Sequence, residues 1–235
     1  MQFRRAAAGI ALTAALATGC TGSPIEESKA GTSSAQLPER LGKDGTTIVV
    51  GRTGSTPVQV YEDMRCPVCK DFEDPESGAP VLRRLTKKGL YRTEYTLASF
   101  LDDRLGGQGS KRAANALRAA LEKRKFAEYH DVLFAHQPEE SVDGYTDDFL
   151  LRMASLVPGL RDAEFDAAVK NMKYRAFVTA SEKAYEKSKA SGTPGFAVSG
   201  VLVPDEVRGA MFDPQFLPTA LQYTALSPAD RAKLT

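Results

Sequence analysis

Residues 58–69 read VQVYEDMRCPVC, a strand pattern that runs directly into two cysteines separated by a proline and a valine. Alternating apolar residues at the start of this stretch predict a β-strand, and Pro67 suits the first position of a following helix. Cys66 is then expected at the helix N-terminus, where free backbone N–H groups and the helix dipole lower the pKa of a thiol. Cys69 lies one turn further along, so we expect it to be more buried and less reactive.

The spacing of the two cysteines is compatible with a structural disulfide, a metal site or a redox-active pair. Cysteines at i and i+3 of a first helical turn meet disulfide geometry, but closing so short a loop stabilises a fold little. A structural zinc site normally needs four ligands, and the two histidines, His130 and His136, are spaced so that a helix places them on different faces. We therefore predict no metal ion and no cofactor. A redox pair, in which Cys66 exchanges with a substrate and Cys69 resolves the mixed disulfide, is the leading interpretation, and a structural disulfide is the alternative.

The composition is that of an ordinary globular protein. The 235 residues are 42% hydrophobic and 26% charged, and they suffice for one domain with an insertion. The 31 basic and 30 acidic side chains give a net charge of +1, which argues against nucleic-acid binding. Three cysteines are too few for a disulfide-rich scaffold, so a hydrophobic core must hold the fold.

Residues 1–19 have the features of an export signal. Two arginines precede an alanine-rich apolar run that is shorter than the roughly 20 apolar residues of a membrane-spanning helix. The run ends in LATGC, residues 16–20, which resembles a bacterial lipoprotein signal, although Ala17 holds a position where such signals usually carry leucine. We predict cleavage before Cys20, lipidation of Cys20 and attachment to the extracytoplasmic face of a bacterial membrane. The alternative is a plain secretory signal cut nearby, and both predict export to a compartment where disulfides persist.

The rest of the chain divides into a linker, a folded region and a tail. Residues 20–44 are rich in Ser, Gly, Pro and Glu without an apolar period, so we predict a flexible tether there. Residues 45–224 are predicted to fold as an α/β core with a helical insertion at about 106–190. Residues 225–235 are predicted to be a polar tail. Five segments have strand character: 46–50, 58–61, 90–100, 195–198 and 201–203.

Four segments of the chain together resemble the DsbA family of thioredoxin-fold proteins. They are VQVYEDMRCPVC at 58–69, GSKRAA at 109–114, KFAEYHDVLF at 125–134 and GTPGFAVSG at 192–200. The resemblance covers residues 45–224 and implies a thioredoxin-like fold with an inserted helical domain. It also implies that Pro194 is a cis-proline beside the cysteines, and that the backbone of Thr193 pairs with an extended substrate chain. An ordinary turn after Gly192 is the alternative for Thr193 and Pro194.

The chain departs from the family pattern at the acidic residue near the cysteines. Many relatives carry a buried acid six positions before the first cysteine, as a proton acceptor for the resolving thiol, and this chain has Val60 there. Glu62 and Asp63 lie nearby as candidates for acid–base or tuning roles, and strand alternation predicts that they point to opposite faces. Asp63 matches an acid that relatives often carry three positions before the cysteine. We expect Glu62 to be a surface charge.

The second departure is Val68. Strongly oxidising relatives carry a histidine at this position, which helps to hold the thiolate, and valine cannot do so. We expect Arg65 and Lys70 to be solvated and to contribute little. The sequence therefore predicts a less depressed pKa for Cys66 and a weaker oxidant than the strongest members of the family.

The leading prediction is an extracytoplasmic thiol-disulfide oxidoreductase that oxidises cysteines of exported proteins through a Cys66–Cys69 disulfide. An unidentified membrane partner would reoxidise the pair. A reductase that uses the same pair is one alternative, because reduction potential is not readable from the motif. A non-catalytic lipoprotein that binds extended peptides, with a structural disulfide between the cysteines, is an alternative from another class. The helical segment lacks a long heptad repeat, so we predict a monomer.

Overall fold

A six-stranded mixed sheet runs through residues 37–233, the part of the chain that the computed structural model describes. The order of its strands is β1-β2-β4-β3-β5-β6. The strands are β1 (Glu39–Leu41), β2 (Ile48–Val50), β3 (Thr56–Asp63), β4 (Tyr91–Ala98), β5 (Gly195–Val198) and β6 (Val201–Leu202). The predicted signal peptide, Cys20 and most of the predicted tether lie outside the described residues.

Helices follow most of the strands. Between β3 and β4 lie α1 (Pro67–Glu73) and α2 (Ala79–Lys87). Between β4 and β5 lie α3 (Phe100–Leu105), α4 (Gly109–Glu122), α5 (Phe126–Ala135), α6 (Asp147–Ala154), α7 (Ala163–Lys170) and α8 (Arg175–Ser188). After β6 come α9 (Asp205–Arg208), a 3-10 turn (Gly209–Phe212), α10 (Leu217–Ala225) and α11 (Pro228–Arg231). None of the helices in the described residues has the length and apolar character that crossing a bilayer requires.

The central strand β3 carries the chain to the cysteines. It pairs in parallel with β4, with Val60 opposite Tyr95, and antiparallel with β5, with Val60 opposite Phe196. Its last two residues, Glu62 and Asp63, are both fully buried. Since successive side chains of a strand point to opposite faces, both faces of the sheet are covered at this end. The same register places the start of β5 beside the end of β3.

The helices between β4 and β5 form the inserted layer. It spans residues 100–188, whereas the sequence predicts about 106–190. Its central helix, α4, buries alanines and leucines, of which Ala113, Ala114, Ala116, Leu117 and Ala120 are fully buried. Small side chains at spacings of three and four allow close approach, and α4 packs on α5, α7 and α8. This apolar face of α4 builds the core of the inserted layer.

The folded region extends into the predicted tether. Leu37 packs against the core, and β1 pairs with β2. The carboxylate of Glu39 on β1 accepts the backbone N–H groups of Phe126 and Ala127, at the N-terminus of α5. A three-residue strand carries too little apolar alternation to be recognised from sequence, so the predicted boundary at residue 45 falls too late. At the other end, the short helix α11 lies in the predicted tail and is largely exposed.

Candidate active site

The two cysteines occupy the start of α1. Cys66 is the N-cap residue, with extended backbone angles, and Pro67 follows at the first helical position. Cys69 is fully buried, whereas Cys66 keeps 7% exposure, and Pro67 and Val68 are open to solvent. Both cysteines are free thiols in this structure. The structure therefore shows the reduced pair, with Cys66 as the thiol nearer to solvent.

The loop before β5 lies against the Cys66 thiol. The Thr193–Pro194 peptide bond is cis, which is the geometry that the resemblance implies. The Sγ atom of Cys66 lies 3.2 Å from the carbonyl oxygen of Thr193, across 127 positions of sequence, and donates a hydrogen bond to it when the thiol is protonated. Pairing of Gly195 with Tyr61 holds this loop at the end of β3. The structure therefore places the cysteine pair and the Thr193–Pro194 loop, which are far apart in the sequence, next to each other.

The pKa of Cys66 is lowered to about 6 from an ordinary 9.0. The hydrogen bond from the Cys69 side chain lowers it most, and burial opposes this effect. The Thr193 side chain and the backbone N–H groups of Val68 and Cys69 at the start of α1 lower it further. Cys66 is therefore largely a thiolate at neutral pH. Val68 contributes its backbone but no side-chain charge.

Cys69 has the opposite environment. Burial raises the pKa of its thiol well above the ordinary value, and the hydrogen bond to Cys66 and the charges of Cys66 and Glu62 raise it further. Cys69 therefore stays protonated while Cys66 is ionised. This difference makes Cys69 the hydrogen-bond donor of the pair and Cys66 the thiol that ionises first.

Glu62 is fully buried and lies on the side of the strand that carries it toward Cys69. Its Oε1 atom is 2.5 Å from Nε2 of His130 on α5. The expectation of a surface charge at this position is wrong, because β3 ends between two covered faces. Burial is the largest single effect on the pKa of His130 and lowers it. The charges of Glu62 and Glu73 and hydrogen bonds to Glu62 and Asp131 together outweigh burial and raise the pKa to about 10. His130 is therefore a buried imidazolium beside Glu62.

Asp63 points to the other face, as strand alternation predicts. Its Oδ1 atom accepts the backbone N–H of Arg65 at 3.0 Å and the hydroxyl of Ser110 at 2.5 Å. Its Oδ2 atom accepts the N–H of Leu101. Burial raises the pKa of Asp63 to about 7, although these hydrogen bonds lower it. The role of Asp63 in this geometry is to hold the loop before Cys66 against α3 and α4.

Arg65 is buried rather than solvated, so the prediction for this residue is wrong. Its side chain is 1% exposed and pairs with the fully buried Asp102 at 3.0 Å. It also donates to the carbonyl oxygens of Gly106 and Glu140. A local sequence pattern cannot show this, since all of these partners belong to the inserted layer. Lys70 is exposed, as expected.

Two further side chains of the inserted layer, which sequence reasoning missed, hold the cysteine loop. The amide nitrogen of Gln137 donates to the carbonyl oxygens of Met64 and Cys66, both at 2.9 Å. The hydroxyl of Tyr145 donates to the Met64 carbonyl oxygen at 3.0 Å. Neither residue belongs to a recognisable motif.

Glu73 and His130 complete a buried polar cluster with Glu62 and were also missed. Glu73 lies one helical turn after Cys69 on α1, so its spacing places it on the same face as the resolving thiol. His130 is buried, whereas His136, the other histidine of the chain, is exposed. The side chains of this cluster are of types that bind metal ions.

Three solved structures illustrate the fold that this chain shares, each at a sequence identity below 20%. The MdbA protein, a thiol-disulfide oxidoreductase from Corynebacterium diphtheriae, has a TM-score of 0.62 at 18% identity, over 78% of this chain and 93% of that chain. BdbD from Bacillus subtilis has a TM-score of 0.63 at 19% identity, over 74% and 90%. DsbA from Mycobacterium tuberculosis has a TM-score of 0.59 at 19% identity, over 85% and 99%. These likenesses establish the thioredoxin-like fold with its helical insertion.

A search of curated protein sequences finds no match to the chain. A family model described as thioredoxin matches residues 43–213, which is more than half of the chain and contains both cysteines and Pro194. The protein therefore belongs to the thioredoxin family.

Proposed function

We propose that this protein is a thiol-disulfide oxidoreductase in which Cys66 and Cys69 alternate between a disulfide and the two thiols of this structure. The observation that carries the proposal is the asymmetry of the pair. Cys66 has a pKa of about 6 and faces the Thr193–Pro194 loop, whereas Cys69 is buried with a raised pKa. Such a difference separates an attacking thiol from a resolving thiol.

The exchange proceeds in two steps in the oxidising direction. A substrate thiolate attacks Sγ of Cys66 in the oxidised pair, the S–S bond breaks, and Cys69 leaves as a thiolate that takes up a proton. A second substrate thiolate then attacks the substrate sulfur of the mixed disulfide, and Cys66 leaves as a thiolate. The substrate loses two electrons and gains a disulfide, and the cysteine pair gains those two electrons. The low pKa of Cys66 makes it a good leaving group in the second step.

The loop before β5 is the proposed substrate-binding element. The carbonyl oxygen of Thr193 lies within hydrogen-bond distance of Cys66, so a chain seated along this loop would bring its sulfur to the thiol. Backbone pairing of this kind gives affinity without requiring one particular sequence. We propose cysteine-containing exported proteins in extended conformation as the substrates.

Oxidation is the proposed direction. Groups that stabilise the Cys66 thiolate stabilise the reduced form relative to the disulfide, and this makes the pair an oxidant. The MdbA protein is named a thiol-disulfide oxidoreductase, which supports the chemistry but not the direction. We also propose that the protein works outside the cytoplasm, anchored by a lipid on Cys20 and reoxidised by a membrane partner. The export signal and lipidation site predicted from residues 1–20 support this location.

Replacement of Cys69 by alanine tests the proposal. A Cys69→Ala protein is expected to accumulate mixed disulfides with exported proteins in cells, visible as adducts on non-reducing gels, because no thiol remains to resolve them. The Cys66→Ala/Cys69→Ala double variant is the matched control and should form none. Absence of adducts, together with no oxidation of a reduced two-cysteine peptide by the wild-type disulfide form, would favour the non-catalytic peptide-binding alternative.

Equilibration with glutathione determines the direction. We expect a reduction potential between those of thioredoxin and DsbA, roughly −270 and −120 mV, and on the oxidising side of that range. A value below about −250 mV would favour the reductase alternative instead.

A further inference from the structure

A compact group of potential metal ligands lies beneath Cys69, apart from the residues that exchange disulfides. Glu62 on β3, Glu73 on α1 and His130 on α5 each offer one ligand atom, and these atoms all lie within 4.8 Å of one another. Their side chains are between 0% and 3% exposed. We propose that these three residues bind a divalent transition-metal ion of the Zn²⁺ type.

Two carboxylate oxygens of the group have no hydrogen-bond partner among residues 37–233. They are Oε2 of Glu62 and Oε1 of Glu73. The second oxygen of each group is engaged, since Oε1 of Glu62 contacts His130 and Oε2 of Glu73 accepts from Arg83. A buried carboxylate oxygen without a partner costs free energy, and such groups in native proteins call for a water or an ion. A cation bound by the three residues would give their carboxylate groups the missing partner.

The charges around the group leave room for a divalent cation. Glu62, Glu73 and Asp131 are acidic, and Arg83 neutralises one of them through contacts with Glu73 at 2.6 Å and Asp131 at 3.4 Å. With His130 neutral, two negative charges remain, which a divalent ion would balance. The ion would take the place of the proton that joins His130 to Glu62. Thiolates are not needed as ligands, so the redox pair stays free.

The donor set and its surroundings suit zinc more than calcium or magnesium. One imidazole and two carboxylates match the three-ligand sites in which Zn²⁺ keeps a fourth position for water, whereas Ca²⁺ and Mg²⁺ prefer six or more oxygens. The imidazole of His130 is held between the rings of Tyr95 and Phe134, at centroid distances of 5.0 and 4.8 Å. A fixed ring orientation is what a metal-binding histidine requires.

A surface groove provides the entry path that a buried metal site needs. It has a volume of about 420 Å³. Glu73, Arg83 and Asp131 line it together with residues of α1 and α5. Glu73 therefore belongs to both the groove and the buried group, and the groove is the proposed route of the ion.

Calorimetric titration with ZnCl₂ alone tests the proposal. The sample is the full chain carrying Cys20→Ser, with Cys66 and Cys69 oxidised so that no thiol can bind zinc. We expect one ion per chain, and we expect Glu73→Gln and His130→Gln each to weaken binding at least tenfold. Glu76→Gln and His136→Gln are matched controls at exposed positions and should leave the affinity unchanged.

A variant-free measurement covers the case in which the substitutions disturb folding. Nitrogen-15 NMR of the histidine rings in the oxidised Cys20→Ser chain should show that zinc shifts the ring signals of His130 and not those of His136. No zinc binding by this chain, binding that survives both Glu73→Gln and His130→Gln in folded protein, or zinc-induced shifts confined to His136 would each overturn the proposal.

Discussion

Cys66 owes its acidity to groups from distant parts of the chain. The Cys69 thiol, the backbone N–H groups at the start of α1 and the Thr193 side chain all lower the pKa of Cys66, against burial. None of them carries a full positive charge, which explains a value of about 6 rather than the roughly 3.5 of DsbA. Hydrogen bonds and the helix N-terminus therefore suffice to keep this thiol ionised at neutral pH without a charged side chain at Val68.

The pKa of Cys66 should depend on Cys69 and not on the side chain of Val68. In the reduced wild type, we expect the rate of alkylation by iodoacetamide to rise with pH around a midpoint of about 6. Cys69→Ala should move the midpoint upward by about one unit or more, because the strongest hydrogen bond to the thiolate is lost. Val68→Ala keeps the backbone N–H of this position and should leave the midpoint of the alkylation profile unchanged. Equal midpoints in wild type and Cys69→Ala would contradict this account.

The sequence predicts where Cys66, Cys69 and the cis-proline Pro194 lie, but it does not predict which charged side chains are buried around them. Cys66, Cys69 and Pro194 could be predicted because short motifs carry their chemistry in local backbone geometry. The burial of Glu62 and Arg65 could not, because it depends on partners such as His130 and Asp102 that lie tens of residues away. From sequence alone, a charged residue near the cysteines is predicted to be exposed to solvent, because its long-range partner is not known.

The loop between β3 and α1 is anchored to the inserted helical layer at several points. Arg65 pairs with Asp102 beside α4, and Gln137 and Tyr145 donate to the carbonyl oxygen of Met64. The insertion therefore fixes the backbone that presents Cys66. Apolar periodicity predicts the helices of this layer, but the short strand β1 and the polar contacts that dock the layer leave no periodic signal.

Arg65 should matter for stability and little for reactivity. Arg65→Met leaves Asp102 buried without its cationic partner, so we expect the free energy of unfolding to fall by about 3 kcal/mol. The pKa of Cys66 should stay near its wild-type value, because Arg65 is not among the groups that shift it. Urea unfolding and alkylation kinetics measure the two quantities separately. Lys70→Met is the exposed basic control and should cost less than about 0.5 kcal/mol. A loss of similar size in both variants would show that the Arg65 pair contributes no special stability.

At the scale of the whole molecule, Glu62 and Asp63 at the end of β3 point to opposite faces of the sheet, and helices of the inserted layer contact both side chains. Asp63 is held by Ser110 at the start of α4, whereas Glu62 is held by His130 on α5. The two acids have different environments because they belong to different faces. The thioredoxin-like sheet supplies the cysteines and the Thr193–Pro194 loop, and the insertion supplies the polar contacts beneath them.

The stability of the reduced protein should depend on pH through Cys66. Its pKa in the folded state, about 6, lies below the ordinary 9.0 of an unfolded chain, so ionisation stabilises the folded reduced form. This stabilisation is complete above the unfolded pKa and is lost as pH falls through about 6. One pKa unit corresponds to about 1.4 kcal/mol, and solvent screening at a partly open thiol makes the effect smaller. Between pH 7 and pH 5 we therefore expect the folded reduced form to lose about 1 kcal/mol of stability.

Comparison of reduced wild type with reduced Cys66→Ser separates the contribution of Cys66 ionisation to stability from that of the other titrating groups. The difference between their free energies of unfolding, from urea titrations, should shrink by about 1 kcal/mol on going from pH 7 to pH 5. The oxidised wild type has no free Cys66 thiol, so the stability gap between reduced and oxidised wild type should change in the same sense. A difference that is constant between the two pH values would mean that Cys66 titrates near its unfolded pKa, and the oxidising direction would then lose its physical basis.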